Sequence, residues 1–187
     1  MNREIFGWYI GMSAGERVDY LYMNFQNITR ILSSQQEALA MRVNLLRENS
    51  IHNNEELGVA VMTSKSNGGI TERQAEDRVY TLECVRNYRL PNSVLIGIED
   101  TREIKDGFYE LLVLRLEYEL FKNRIGKLSE DDGFILSSYV SRKKSVEELS
   151  EILAIEPESV RKKLYRLKKK LKAIMLPLML KYEEQYF

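Results

Sequence analysis

Two groups of cations carry the clearest chemical signal in this chain of 187 residues: Lys143 with Lys144, and a run from Arg161 to Lys172 in which eight of twelve residues are Lys or Arg. Such side chains neutralise phosphate, and a guanidinium or ammonium can also bond the acceptor edge of guanine in a major groove. Interleaved with them stand Glu158, Ser159 and Tyr165, polar groups able to read base edges. Recognition of a polyanion is therefore expected, and no catalysis. His52 is the only histidine and Cys84 the only cysteine, so neither a zinc-ligand spacing nor an intramolecular disulfide can be drawn. His52 falls in a polar stretch expected to be surface loop, and Cys84 on an apolar helix side expected to be core. Asp131, Asp132, Glu147 and Glu148 stand at expected helix starts, where carboxylates serve caps and dipoles. Lys65 to Gly69 lacks the residue order of a phosphate-binding P-loop. No metal, no cofactor and no enzymatic activity are expected.

The elements that must position these cations are helices. Ser145 to Lys168 predicts a short capped helix, a turn of Ala154, Ile155 and Glu156, and a longer helix opening at Pro157, which is a helix-turn-helix pattern. Ser145 and Glu148 have capping-box spacing, and so do Ser129 and Asp132, which should start a supporting helix running to about Arg142 and burying Phe134, Ile135 and Tyr139. Val160, Leu164, Leu167 and Leu171 share one face, expected to pack on Leu149, Leu153 and Ile135. The opposite face then shows Glu158, Lys162, Tyr165 and Lys169, flanked by Ser159, Arg161, Lys163, Arg166 and Lys168. Ala173 to Leu180, interrupted by Pro177, is expected to be a helix end packed on the body.

Upstream, Glu16 to Arg47 holds neither proline nor glycine. Alternate steps of three and four mark Val18, Leu21, Phe25, Ile28, Leu32, Gln35, Leu39, Arg42 and Leu46, a heptad seam broken at Gln35 and Arg42. One helix of about 48 Å would result at ~1.5 Å per residue. A polar loop is expected from Asn49 to Gly69, with the apolar patch Leu57 to Met62 packing back. A helix should start at Thr71 to Gln74, carry Ala75, Val79, Leu82 and Val85 on its apolar side, and stop before Pro91. Asn92 to Gly97 allows a short extended piece or a buried loop. A further helix to Ile125 places Ile104, Leu111, Leu114, Tyr118, Phe121 and Ile125 at heptad steps, with Gly107 as the one miss. The two seams can zip into a helical hairpin; a parallel dimeric coiled coil stays open as the alternative.

Total charge is balanced, but from Lys127 onward 13 basic residues face 10 acidic ones. That split suits a basic module of 127–187 tethered to a coiled-coil-like helical body of 1–126. A lone cysteine and the lack of any membrane-length apolar window point to a cytoplasmic protein outside the membrane.

Leu128-Ser-Glu with Phe134-Ile-Leu, then Ser145-Val-Glu-Glu-Leu-Ser-Glu-Ile-Leu, then Ser159-Val-Arg-Lys-Lys-Leu-Tyr-Arg-Leu, resemble region 4 of bacterial sigma-70 factors, which binds promoter DNA and RNA polymerase. The likeness covers Lys127 to Ile174. With the helical segment in front, the chain is similar to phage and prophage late-gene transcriptional activators of the ArpU and RinA type. What the resemblance implies is an all-α, sequence-specific transcription regulator that binds double-stranded DNA. Glu158, Ser159, Arg161, Lys162 and Tyr165 would face the bases, and Lys143, Lys144, Arg166 and Lys169 the phosphates. RNA polymerase, and a second copy through the N-terminal helices, stay open as partners. The chain departs from the family at Ser150, Ala154 and Glu156, where a small alanine, a turn glycine and a Ser or Thr cap are usual. A region for melting the promoter is missing, which implies recruitment of polymerase rather than replacement of its main specificity factor. Two alternatives stay open: a phage small-terminase-like DNA-packaging protein, and a helical adaptor or sigma antagonist that binds protein.

Overall fold

Serine side chains stand in for missing helical acceptors at two helix starts. Ser13 and Ser145 each accept from the backbone N–H three residues on, while Glu16 and Glu148 accept in return from the backbone N–H of Ser13 and Ser145. The computed structural model describes residues 6–56 and 69–186, with side chains described for 6–50 and 72–181. The elements are α1 (Ala14–Asn24), a 3-10 turn (Phe25–Asn27), α2 (Ile28–Glu56), α3 (Gly69–Arg86), α4 (Asn92–Leu95), α5 (Arg102–Ile125), α6 (Glu130–Val140), α7 (Val146–Leu153) and α8 (Pro157–Tyr186). Among the described residues there is no strand, so the protein is all-α as expected. No helix among them is long and apolar enough to cross a membrane.

Two compact units divide the chain. One contains Phe6, Gly7 and Ile31–Leu112; the other contains Trp8–Arg30 and the chain from Val113 on. Helix α1 thus belongs with α6, α7 and α8, and the unit around the basic helix takes in more of the chain than 127–187.

In the first unit, α2 and α3 run antiparallel, because Glu37 pairs with Arg86 at 3.0 Å while Glu48 pairs with Arg78. Beside the first pair the Gln36 amide donates to the carbonyls of Val85 and Arg86, both at 3.2 Å, which satisfies a buried polar side chain. Arg47 donates to Thr81 and to the Ser93 carbonyl, and Arg42 pairs with Glu103 on α5 at 2.8 Å. Leu39, Val43, Val85, Val94, Ile104 and Leu111 are fully buried. The missed heptad step at Gly107 has a packing cause: a Cβ there would sit 2.7 Å from the ring of Phe6.

In the second unit, α8 lies against α1, α6 and α7. Val18, Leu21, Ile135, Leu136, Leu149, Val160 and Leu171 are buried, as are Met175 and Met179 within the stretch expected to pack on the body. Helix α8 continues through Pro177 to Tyr186, so Ala173 to Leu180 is helix interior.

Several local expectations are corrected. The helix expected over Glu16–Arg47 is two helices. Asn24 leaves the helical region at φ −107° and ψ 9°, and its side-chain amide donates to the Tyr20 carbonyl at 3.0 Å, competing with helical bonding. Phe25 then sets its ring on Tyr118 and Phe121, at 5.4 and 5.7 Å between centroids. The loop expected from Asn49 does not begin there, because α2 continues to Glu56 and carries the backbone of His52; Leu57 to Met62 lie outside the described residues. Helix α3 starts at Gly69, and Ala75 and Val79 are exposed; its buried side is Thr81, Cys84 and Val85. Asn92 to Leu95 is neither extended nor loop but one helical turn. Ser129 makes no side-chain cap, and Phe134 is exposed while Leu136 is buried.

Candidate nucleic-acid interface

Helix α7 is only eight residues long and owes its start to the complete capping box at Ser145. The Ser145 backbone N–H holds the Glu148 carboxyl below the ordinary glutamate range, with further help from the Ser145 hydroxyl. The helix stops at Ala154, whose backbone is left-handed at φ 51° and ψ 41°. The Ile155 N–H reaches back to the Ser150 carbonyl and the Ala154 N–H to that of Glu151, the paired bonds of a Schellman turn. Glycine is the usual occupant of that conformation; alanine there costs roughly 1–2 kcal/mol of backbone strain. The Ser150 hydroxyl donates to the Ile155 carbonyl and closes the turn from the other side. Helix α6 ends in the same way, with Arg142 at φ 51° and the Lys143 N–H bonded to Ser138.

Helix α8 opens at Pro157, with the N–H groups of Ser159 and Val160 both taken up by the Glu156 carbonyl. Val160, Leu164, Leu167 and Leu171 form its buried stripe, against fully buried Leu149 and Ile135 and half-buried Leu153. Burial of that stripe turns Glu158, Ser159, Arg161, Lys162, Tyr165, Arg166 and Lys169 outward, and all seven are exposed. Tyr165 presents an aromatic side chain 69% exposed on this face. Glu158, Arg161, Lys162, Tyr165 and Arg166 line a shallow concavity of about 320 Å³. Lys143 is exposed and Lys144 half-buried in the connection ahead of α7.

The cation run is split by its partners. Lys168 and Lys172 are held by Asp19 of α1 at 2.9 and 2.6 Å, and the Lys168 ammonium also lies 4.9 Å from the centre of the Tyr22 ring. Lys163 and Lys170 face Asp132 of α6 at 3.6 and 4.0 Å. Arg161 pairs with Glu147 and Glu158 at 3.2 and 3.6 Å. Lys143, Lys144, Lys162, Arg166 and Lys169 form no ion pair among the described residues. An open cationic stripe thus runs beside a set of lysines that brace α8 on α1 and α6. Asp19 and Glu147 are not legible as partners in the sequence, since the contacts join residues 153 and 14 positions apart. No local pattern signals either one.

No group of three or more His, Cys, Asp or Glu residues among the described residues is arranged to hold a metal ion. No protein-family model, curated protein or solved structure matches the chain.

Proposed function

We propose that this protein is a non-enzymatic, sequence-specific DNA-binding transcription regulator. In this reading, Lys127 to Ile174 works as a sigma-region-4-like helix-turn-helix. The helical region of 1–126, whose α1 packs on α8, serves partner contact or dimerisation, and the setting is a cytoplasmic, phage-type activator that recruits RNA polymerase. The observation that carries the reading is the outer face of α8: Lys162, Arg166 and Lys169 are exposed beside Tyr165 and form no ion pair among the described residues, with Lys143 and Lys144 in the connection before α7. A helix of about 10–12 Å diameter with such a face suits a major groove ~12 Å wide, with the first turns at base edges and later lysines at phosphates. The braced lysines hold the helix; the open ones meet the duplex.

Promoter fragments from the host test it. Arg161→Ala, Lys162→Ala and Arg166→Ala together should weaken binding at least tenfold and flatten the salt dependence by ~0.9 for each phosphate no longer neutralised. Unchanged affinity and an unchanged salt slope would sink the DNA assignment. Capture of a polymerase subunit without duplex binding would favour the adaptor reading, and large rings by light scattering the terminase one.

A further inference from the structure

Arg161 differs from the other cations of the exposed face. Its Nη2 donates to Glu147 Oε1 at 3.2 Å across the turn, and its Nη1 lies 3.6 Å from Glu158 Oε2 on the same helix. Two carboxylates on a surface meant for a polyanion cost affinity, because each repels phosphate. Each stands in the first turn of its helix, where the dipole favours an acid. The dipole does not explain why both converge on one guanidinium.

Resting on the DNA-binding reading above, we propose that Glu147 is a positioning residue for base selectivity: it holds Arg161 as a charge-compensated fork directed at a guanine edge rather than at phosphate. Phosphate attracts a guanidinium chiefly by charge, and the trio of Arg161, Glu147 and Glu158 carries a net negative charge. A guanine edge presents two neutral acceptors, O6 and N7, and asks only for two N–H groups in fixed geometry. Arg161 has five such donors, and the one hydrogen bond to Glu147 leaves enough of them. The tether also restricts a flexible side chain before DNA arrives, so less entropy is lost on binding. Suppressing the phosphate mode weakens binding to every sequence alike, while the base contact is kept for one. Selectivity rises because the competitor is disfavoured.

The test uses the full chain and a duplex selected by it from a randomised pool, compared with the same duplex carrying A·T in place of each G·C in turn and with a scrambled one. Glu147→Gln should bind the scrambled duplex about threefold to tenfold more tightly, with a salt slope steeper by ~0.9, since Arg161 then counts as a phosphate contact. Its preference for guanine at one position should fall about tenfold. Arg161→Ala should lose the same preference, and adding Glu147→Gln to it should leave that preference unchanged. Glu158→Gln, whose contact is longer, should act in the same direction with smaller size. Equal affinity gains for all duplexes with the guanine preference intact would make Glu147 a simple repulsive charge and overturn the proposal. Wild-type protein that selects no duplex at all would instead overturn the DNA reading beneath it.

Discussion

Arg17, Glu117 and Tyr9 show how a few buried polar atoms can hold helices in place. Arg17 is 3% exposed; its Nε lies 3.2 Å from both carboxylate oxygens of Glu117 and its Nη2 3.1 Å from one of them. The Tyr9 hydroxyl donates to Glu117 at 2.6 Å, and burial, together with the Glu117 charge, pushes that phenol far above its ordinary range. Removing one partner of a buried charge pair leaves the other poorly compensated, so Glu117→Ala should cost ~3–5 kcal/mol in urea unfolding. Glu117→Gln, which keeps an acceptor for Tyr9 and Arg17, should cost clearly less; equal small losses for both would show that the pair contributes little. Residues also set the helix ends. Tyr88, Arg142 and Ala154 all adopt left-handed backbone where glycine or asparagine is usual, so these stops carry no glycine signal in the sequence.

At the scale of elements, α8 depends on α1. Burial alone would raise the Asp19 carboxyl, but hydrogen bonds from Lys172 and Lys168 outweigh it and hold the group below the ordinary aspartate range. A carboxyl depressed in the folded state takes up a proton more readily when unfolded. Its contribution is therefore present above the ordinary value near ~3.9 and is lost as the pH falls through the folded value. Acid titration below about pH 4 should loosen α1 from α8, followed by the fluorescence of Trp8, whose ring packs edge-on at 5.0 Å from Tyr20 of α1. Glu16 and Glu148 are depressed as well, by their capping serines, so the difference between wild type and Asp19→Asn isolates the α1 contribution. An acid profile that Asp19→Asn leaves unaltered would show that the lysine clamp does not couple the two helices.

For the whole molecule, charge pairing limits how strongly the protein can grip any polyanion. The formal charge is zero, and four of the eight cations between Arg161 and Lys172 are held by Asp19 or Asp132. If Lys143, Lys144, Lys162, Arg166 and Lys169 each neutralise one phosphate, the logarithm of duplex affinity should fall against that of salt with a slope of about −4.5, from 0.9 per phosphate. A slope near −8, about 0.9 for each of nine cations, would mean that the four braced lysines are released to the DNA on binding. A slope near −1 would leave the stripe without the phosphate contacts assigned to it.

The amino-acid sequence by itself determined the all-helical class, the Ser145 cap, the position of the turn before Pro157 and the buried stripe of α8. These follow from local spacing: a serine and an acid three residues apart, a proline at a helix start, and apolar residues every three or four positions. The seven outward residues of α8 were legible for the same reason, since the buried stripe leaves them only one side. Where the long N-terminal helix breaks needed tertiary structure besides the local Asn24 bond, because the rings that receive Phe25 come from residues about a hundred positions away. Tertiary structure alone decided which cations are open and which are braced. That distinction depends on Asp19, Asp132 and Glu147 arriving from other helices, and charge pairing acts through distance in space, which helical periodicity does not encode.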